Sequence, residues 1–186
     1  MSEMNAIILS LMLIALRPMA ARAQAAPSDA KVVTVDSVDL NRYVGKWYEI
    51  ARLPNFFQKQ CAMNTTATYT LLKDGDIEVV NKCTKSDGSV SVARGIAEVV
   101  DRKTDAKLKV SFVSILGIHL FWGDYWIIGL DKDYRYAVVG TPSRKFGWIL
   151  SRTTSLTPSE RQSVDDILKK NGYNPTDFIE TEQTAR

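Results

Sequence analysis

The side chains in this sequence best suited to covalent or metal chemistry are Cys61, Cys83 and His119. A cysteine attacks only as a thiolate, and a thiolate at neutral pH needs a base or cation beside it. His119, the one histidine, is remote in sequence from both cysteines and has no companion ligands for a metal centre. Paired carboxylates, a glycine-rich phosphate loop and a Ser–His–Asp set are also missing from the pattern. The expectation is therefore no metal, no cofactor and no catalytic residue. The cysteines then read as an even pair in an exported chain, where disulfides persist. Their placement is awkward. A two-residue turn at Asp74-Gly75 would set Cys83 opposite Thr66, five residues or about 16 Å along a strand from Cys61. A disulfide needs its Cα atoms within about 7 Å. Either the hairpin carries a bulge or the chain before Thr65 folds back; free thiols are the alternative.

The elements that must position these residues are legible from periodicity. Of 186 residues, 45% are hydrophobic and 24% charged, which suits one domain with a full core. Residues 6–16 form an apolar run too short to span a bilayer. Pro18 and Ala21-Arg22-Ala23 follow, so residues 1–23 read as a signal peptide. Cleavage after Ala23 removes Arg17, Arg22 and Glu3, which takes the net charge from +3 to +2. A balance so near neutral, with its basic residues scattered, gives no footprint for nucleic acid. Residues 24–38 lack periodicity and read as a flexible tether. From 39 onward the chain reads as one domain. A helical turn over Val38–Tyr43 leads into strands that alternate with period two. Ala67, Tyr69 and Leu71 share a face, as do Ile77, Val79 and Asn81, and Leu108, Val110 and Phe112. Asp74-Gly75 and Asp87-Gly88 supply the positive φ angles of tight turns. Eight strands at regular spacing, from Trp47 to Arg152, predict an eight-stranded up-and-down antiparallel barrel over about 45–153. The period then changes. Thr157-Pro158-Ser159-Glu160 is a capping box that opens a helix over about 158–171, striped by Val164, Ile167 and Leu168 and ended by Asn171-Gly172. A short terminal strand is expected over about 176–181.

Four strings in this order carry a family resemblance: Gly45-Lys46-Trp47-Tyr48-Glu49-Ile50-Ala51-Arg52, Ala67-Thr68-Tyr69-Thr70-Leu71, Leu130-Asp131-Lys132-Asp133-Tyr134 and Trp148-Ile149-Leu150-Ser151-Arg152. Over residues 39–181 the chain resembles the lipocalin (calycin) family, in the branch that holds bacterial lipocalin and apolipoprotein D. It departs where the second motif usually reads Thr-Asp-Tyr. The resemblance implies that the helix packs outside the barrel. It also implies that Arg152 lies over Trp47, beside Gly45, to close the base. The same branch lines its cup with residues matching Tyr69, Asn81, Phe112, Tyr125 and Trp148, which strand parity also turns inward. The implied function is an exported carrier or store for a small hydrophobic ligand of fatty-acid or lysophospholipid type. A Gram-negative periplasm is its implied home, with the outer membrane near, although no Cys stands near residues 15–30 for a lipid anchor; secretion is the alternative. Two further readings stay open: an envelope protein with a filled barrel, and a lipid isomerase using Cys61, as one lipocalin-fold synthase uses a single Cys. The link between the fifth and sixth strands falls at the open mouth and holds Ile115, Leu116, Ile118, Leu120, Phe121 and Trp122. Such a segment serves as a lid, a transient membrane contact or a dimer interface, or packs into the core. Monomer and homodimer are both compatible with it.

Overall fold

The computed structural model describes residues 31–184. The signal-peptide reading and residues 24–30 of the tether fall outside them. One helical turn, α1 (Leu40–Tyr43), precedes β1 (Gly45–Arg52), β2 (Met63–Leu71), β3 (Ile77–Thr84), β4 (Val90–Val99) and β5 (Lys107–Ser111). A two-stranded hairpin, β6 (Val113–Ile115) and β7 (Ile118–Leu120), interrupts the series before β8 (Gly123–Leu130), β9 (Tyr136–Gly140) and β10 (Gly147–Ser151). Helix α2 (Pro158–Lys170), a 3-10 turn (Pro175–Asp177) and β11 (Ile179–Glu180) follow. Sequential antiparallel pairing runs β1-β2-β3-β4-β5-β8-β9-β10, and β10 pairs back onto β1 to close an eight-stranded barrel. The terminal strand is thus shorter than expected, because Pro175 initiates a 3-10 turn where a strand over 176–181 was read.

Alternation sorts the strands into two cores. Inside the barrel lie Trp47, Ala67, Tyr69, Ile77, Val79, Leu108, Ile127, Val139 and Leu150. Outside it, Ile128, Val138 and Ile149 meet Val164 and Leu168 of α2. The capping box holds the helix start: Thr157 Oγ1 accepts from the Glu160 amide while the Glu160 carboxylate accepts from the Thr157 amide. Residues 31–38 correct the tether reading. Val32 and Val38 are buried, and the Val35 and Val38 amides donate to the Ile127 and Thr104 carbonyls at 3.0 and 2.8 Å. Three spaced valines secure a segment that has no helical or strand period of its own.

The hairpin turn resolves the cysteine geometry. Leu72 N donates to Asp76 O and Gly75 N to Leu72 O, with Gly75 at φ +90°, so three residues rather than two form the loop. That shifts the register by one residue and sets Thr66 opposite Lys82. A second irregularity between Met63 and Thr66, with Asn64 at φ +55°, turns the preceding chain back so that Ala62 N donates to Thr84 O. Both devices act together. Cys61 and Cys83 are bonded, their Cα atoms 5.5 Å apart.

Candidate functional site

The base of the barrel is built from a helix end and one guanidinium. The Arg152 guanidinium lies 3.7 Å from the Trp47 ring centroid, a contact worth about 0.5–2 kcal/mol. It also donates to the carbonyls of Arg42, Tyr43, Val44 and Lys46. Three of these carbonyls lie at the exposed end of α1, where a cation is favoured. Gly45 stands against this guanidinium at φ +95°, a conformation that a side chain there would strain. Burial pushes the Arg152 pKa down, but from so high a value that it stays charged. The three residues expected at the base are therefore together and form it.

Above that base, three tyrosines share their hydroxyls. Tyr125 Oη lies 2.8 Å from Tyr43 Oη and 2.9 Å from Tyr69 Oη. Burial drives all three pKa values up, that of Tyr69 to about 12, so the knot is neutral at physiological pH. Tyr43 was not among the expected site residues. Its signal was present: in one helical turn, Leu40 and Tyr43 recur at i, i+3 and face the same way.

The inner wall changes character with height. Trp47, Ile77, Val79, Leu108 and Ile127 near the base are at most 3% exposed. Asn81, Val110, Tyr125 and Trp148 also face inward but are only half-buried, and Phe112 is 40% exposed. Phe112 folds over Gly95, where a Cβ would collide with the ring and with the Ser111 carbonyl. A solid barrel would bury these inward side chains; an open cup leaves them in reach of water. All five expected lining residues thus point into the barrel, Tyr69 and Tyr125 low and Phe112 and Trp148 toward the mouth.

One polar cluster in the wall was missed altogether. Trp148 Nε1 donates to Gln58 Oε1 at 3.0 Å, and Gln58 Nε2 donates to Glu49 Oε2 at 2.8 Å. Glu49 Oε1 receives Arg52 Nη1 at 3.0 Å and the Thr181 hydroxyl. Glu49 and Arg52 are both buried. The tail residue Gln183 donates to the carbonyls of Glu49 and Thr65, each at 2.8 Å, and so bridges β1 and β2 where their pairing has ended. Glu49 shares the inward parity of Trp47, but the i, i+3 spacing of Glu49 and Arg52 carries no signal in a strand; a bulge between Glu49 and Ala51 is what brings Arg52 to the same face.

The mouth is aromatic and apolar. Phe57 packs on Phe146 and Trp148 with ring centroids 5.6 and 6.3 Å away. The link read as a loop is the hairpin β6–β7, turning at Leu116-Gly117. It does not pack down as core: Ile115, Ile118, Phe121 and Leu116 are 58, 65, 83 and 98% exposed. Leu120 and Trp122 are half-buried, and Trp122 Nε1 donates to the carbonyl of His119. No cluster of metal-ligating side chains occurs among the described residues. The reactive-Cys61 alternative is overturned, because its sulfur is bonded to that of Cys83.

Comparisons with known proteins agree with this architecture. A family model described as a lipocalin-like domain matches residues 38–183. Temperature-induced lipocalin-1 of Arabidopsis thaliana is 40% identical over 153 residues, covering 81% of this chain and 82% of that protein. Outer membrane lipoprotein Blc of Escherichia coli K12 is 37% identical over 153 residues, 82% of this chain and 83% of its own. Mouse apolipoprotein D is 32% identical, covering 80% and 78%. Among solved structures, insecticyanin of the tobacco hornworm Manduca sexta superposes with a TM-score of 0.66 at 25% identity, covering 84% and 85%. With its base seal, its sequential eight-stranded closure and these relatives, the chain belongs to the lipocalin family, in the branch of Blc and apolipoprotein D.

Proposed function

We propose that this protein is an exported, non-enzymatic carrier that holds a small hydrophobic ligand of fatty-acid or lysophospholipid type in its cup, for lipid handling in the cell envelope. The observation that carries this reading is the gradient in the inner wall, sealed at the base and half-accessible at Asn81, Val110, Tyr125 and Trp148. A pocket of that composition, mostly apolar with a few polar groups, suits such a ligand. The same gradient counts against the filled-barrel alternative. Export is supported by the bonded cysteines and by a relative named as an outer membrane lipoprotein. The exposed hairpin supports a transient membrane contact through Ile115, Leu116, Leu120, Phe121 and Trp122 in this reading, since cargo taken from a bilayer is best handed over without crossing water.

The test is native mass spectrometry of protein purified from its source, with uptake of a fluorescent fatty acid by delipidated protein. A co-purifying apolar molecule and saturable uptake are expected. An empty barrel with no uptake would leave the filled-barrel reading standing.

A further inference from the structure

Several polar groups inside the cup have nothing to bond. The tyrosine knot contains three hydroxyl hydrogens and makes two hydrogen bonds. However the hydrogens are arranged, one is left over. Tyr43 and Tyr69 are buried at 2 and 7% exposure, while Tyr125 is half-buried. The arrangement in which both neighbours donate to Tyr125 leaves the spare hydrogen on the hydroxyl of the least buried of the three residues. Each bond of such a chain polarises the next, which makes that last donor stronger.

The neighbouring strands continue the pattern. Tyr69 pairs with Val79, and Asn81 lies two residues further up β3, about 7 Å along the strand. Asn81 Oδ1 is buried without a partner. Thr65, 6% exposed and on the same face of β2 as Ala67 and Tyr69, has an unpartnered Oγ1. Apart from Tyr125, the inward side chains named on β5, β8 and β9 are apolar: Leu108, Val110, Ile127 and Val139. Buried polar groups are ordinarily satisfied, so a run of unmet ones along one wall of a cup marks where a ligand's own polar atoms belong. A plain hydrocarbon chain would bury every one of them unpaired.

We infer that the cup is built for an oxygenated amphiphile, whose innermost oxygen accepts the hydrogen of Tyr125 and whose one polar edge meets Asn81 and Thr65. The inference rests on the carrier reading and narrows its ligand class: the cargo carries a hydroxyl, keto or ester oxygen at its buried end as well as a head group at the mouth. Because the knot is neutral, it favours an uncharged acceptor at the floor.

The test uses the full chain and matched pairs of fatty acids of about 12 to 18 carbons, each plain acid set against its ω-hydroxy counterpart, by displacement of a fluorescent fatty acid. At the best-fitting length the ω-hydroxy acid should bind about tenfold more tightly. This comparison needs no variant. In Tyr125→Phe the preference should vanish, while in Tyr69→Phe it should persist, since Tyr43 can still donate to Tyr125 and Tyr125 to the ligand. The inference is overturned if the plain acid binds as well or better, or if the preference survives in Tyr125→Phe. If the fluorescent acid itself does not bind, the carrier reading fails as well, which is a distinct result.

Discussion

The two ends of this barrel are made from opposite chemistry. At the base, Arg152 directs its donors to four backbone carbonyls and its face to Trp47, which is fully buried. At the mouth, a hairpin holds Leu116 and Phe121 almost wholly in solvent. Apolar surface exposed at such density is costly to solubility, and a fold that can bury Trp47 completely need not expose Phe121. The contrast teaches that covered and exposed apolar side chains are segregated by height: the base holds the barrel shut, and in the proposed function the rim is what meets cargo and surface. Between them the inner wall grades from buried to half-accessible.

That segregation can be broken from the bottom. Trp47→Ala removes a fully buried indole from the inner core and should cost about 3–5 kcal/mol of stability, read by urea denaturation. A loss below about 1 kcal/mol would mean that the base is not what holds the barrel. The mouth end is also tied covalently, by Cys61–Cys83, at a sequence separation of 22. Its reduction, or Cys61→Ser with Cys83→Ser, should cost about 3 kcal/mol. Denaturation with and without reductant reads it, and an unmoved midpoint would show that the bulge at Asn64 already holds the turn.

Alkaline pH probes the floor. The Tyr69 hydroxyl is raised from 10.0 to about 12, chiefly by burial. The unfolded state therefore releases its proton first, so this contribution is fully present below pH 10 and is lost as pH rises toward 12. Tyr69 should account for about 2–3 kcal/mol of the fall across that window, the part that disappears in Tyr69→Phe. A flat profile up to pH 12 would place the hydroxyl in contact with water. The rim should give the smallest stability effect of all. Replacing Leu116 and Phe121 by Ser should move stability by less than about 0.5 kcal/mol, yet slow lipid transfer between vesicles while leaving equilibrium affinity unchanged. Lost affinity with unaltered transfer would make the hairpin part of the pocket wall, and a shift from dimer to monomer in sedimentation would make it an interface.

How much of this was legible depended on whether the signal was local. Strand alternation, the Asp-Gly turns and the Thr157–Glu160 box each involve residues a few positions apart, so eight strands and the closing helix could be read directly. The Trp47–Arg152 contact was also foreseen, but only through resemblance. Side-chain parity carried Tyr69, Asn81, Phe112, Tyr125 and Trp148 to the inner face because each strand keeps its period of two through those positions. Parity fails where a strand slips. The bulges at Glu49–Ala51 and Met63–Thr66 change which side chains face inward, and neither leaves a mark in the residue types.

By itself, then, the sequence determined the class of fold, the order of its strands and the inward side chains of those stretches that keep their period of two, since these follow from periodicity and turn chemistry. Tertiary structure alone decided the rest. It gathered Tyr43 with Tyr69 and Tyr125, linked Glu49 and Arg52 through Gln58 to Trp148, ran Gln183 into the gap between β1 and β2, and bonded Cys61 to Cys83. The disulfide follows from the loop and bulge of one hairpin; for the rest the reason is closure. A barrel's tilt and stagger bring together residues such as Arg152 and Tyr43, 109 positions apart, and the register that fixes those meetings is a property of the closed sheet and of no single strand.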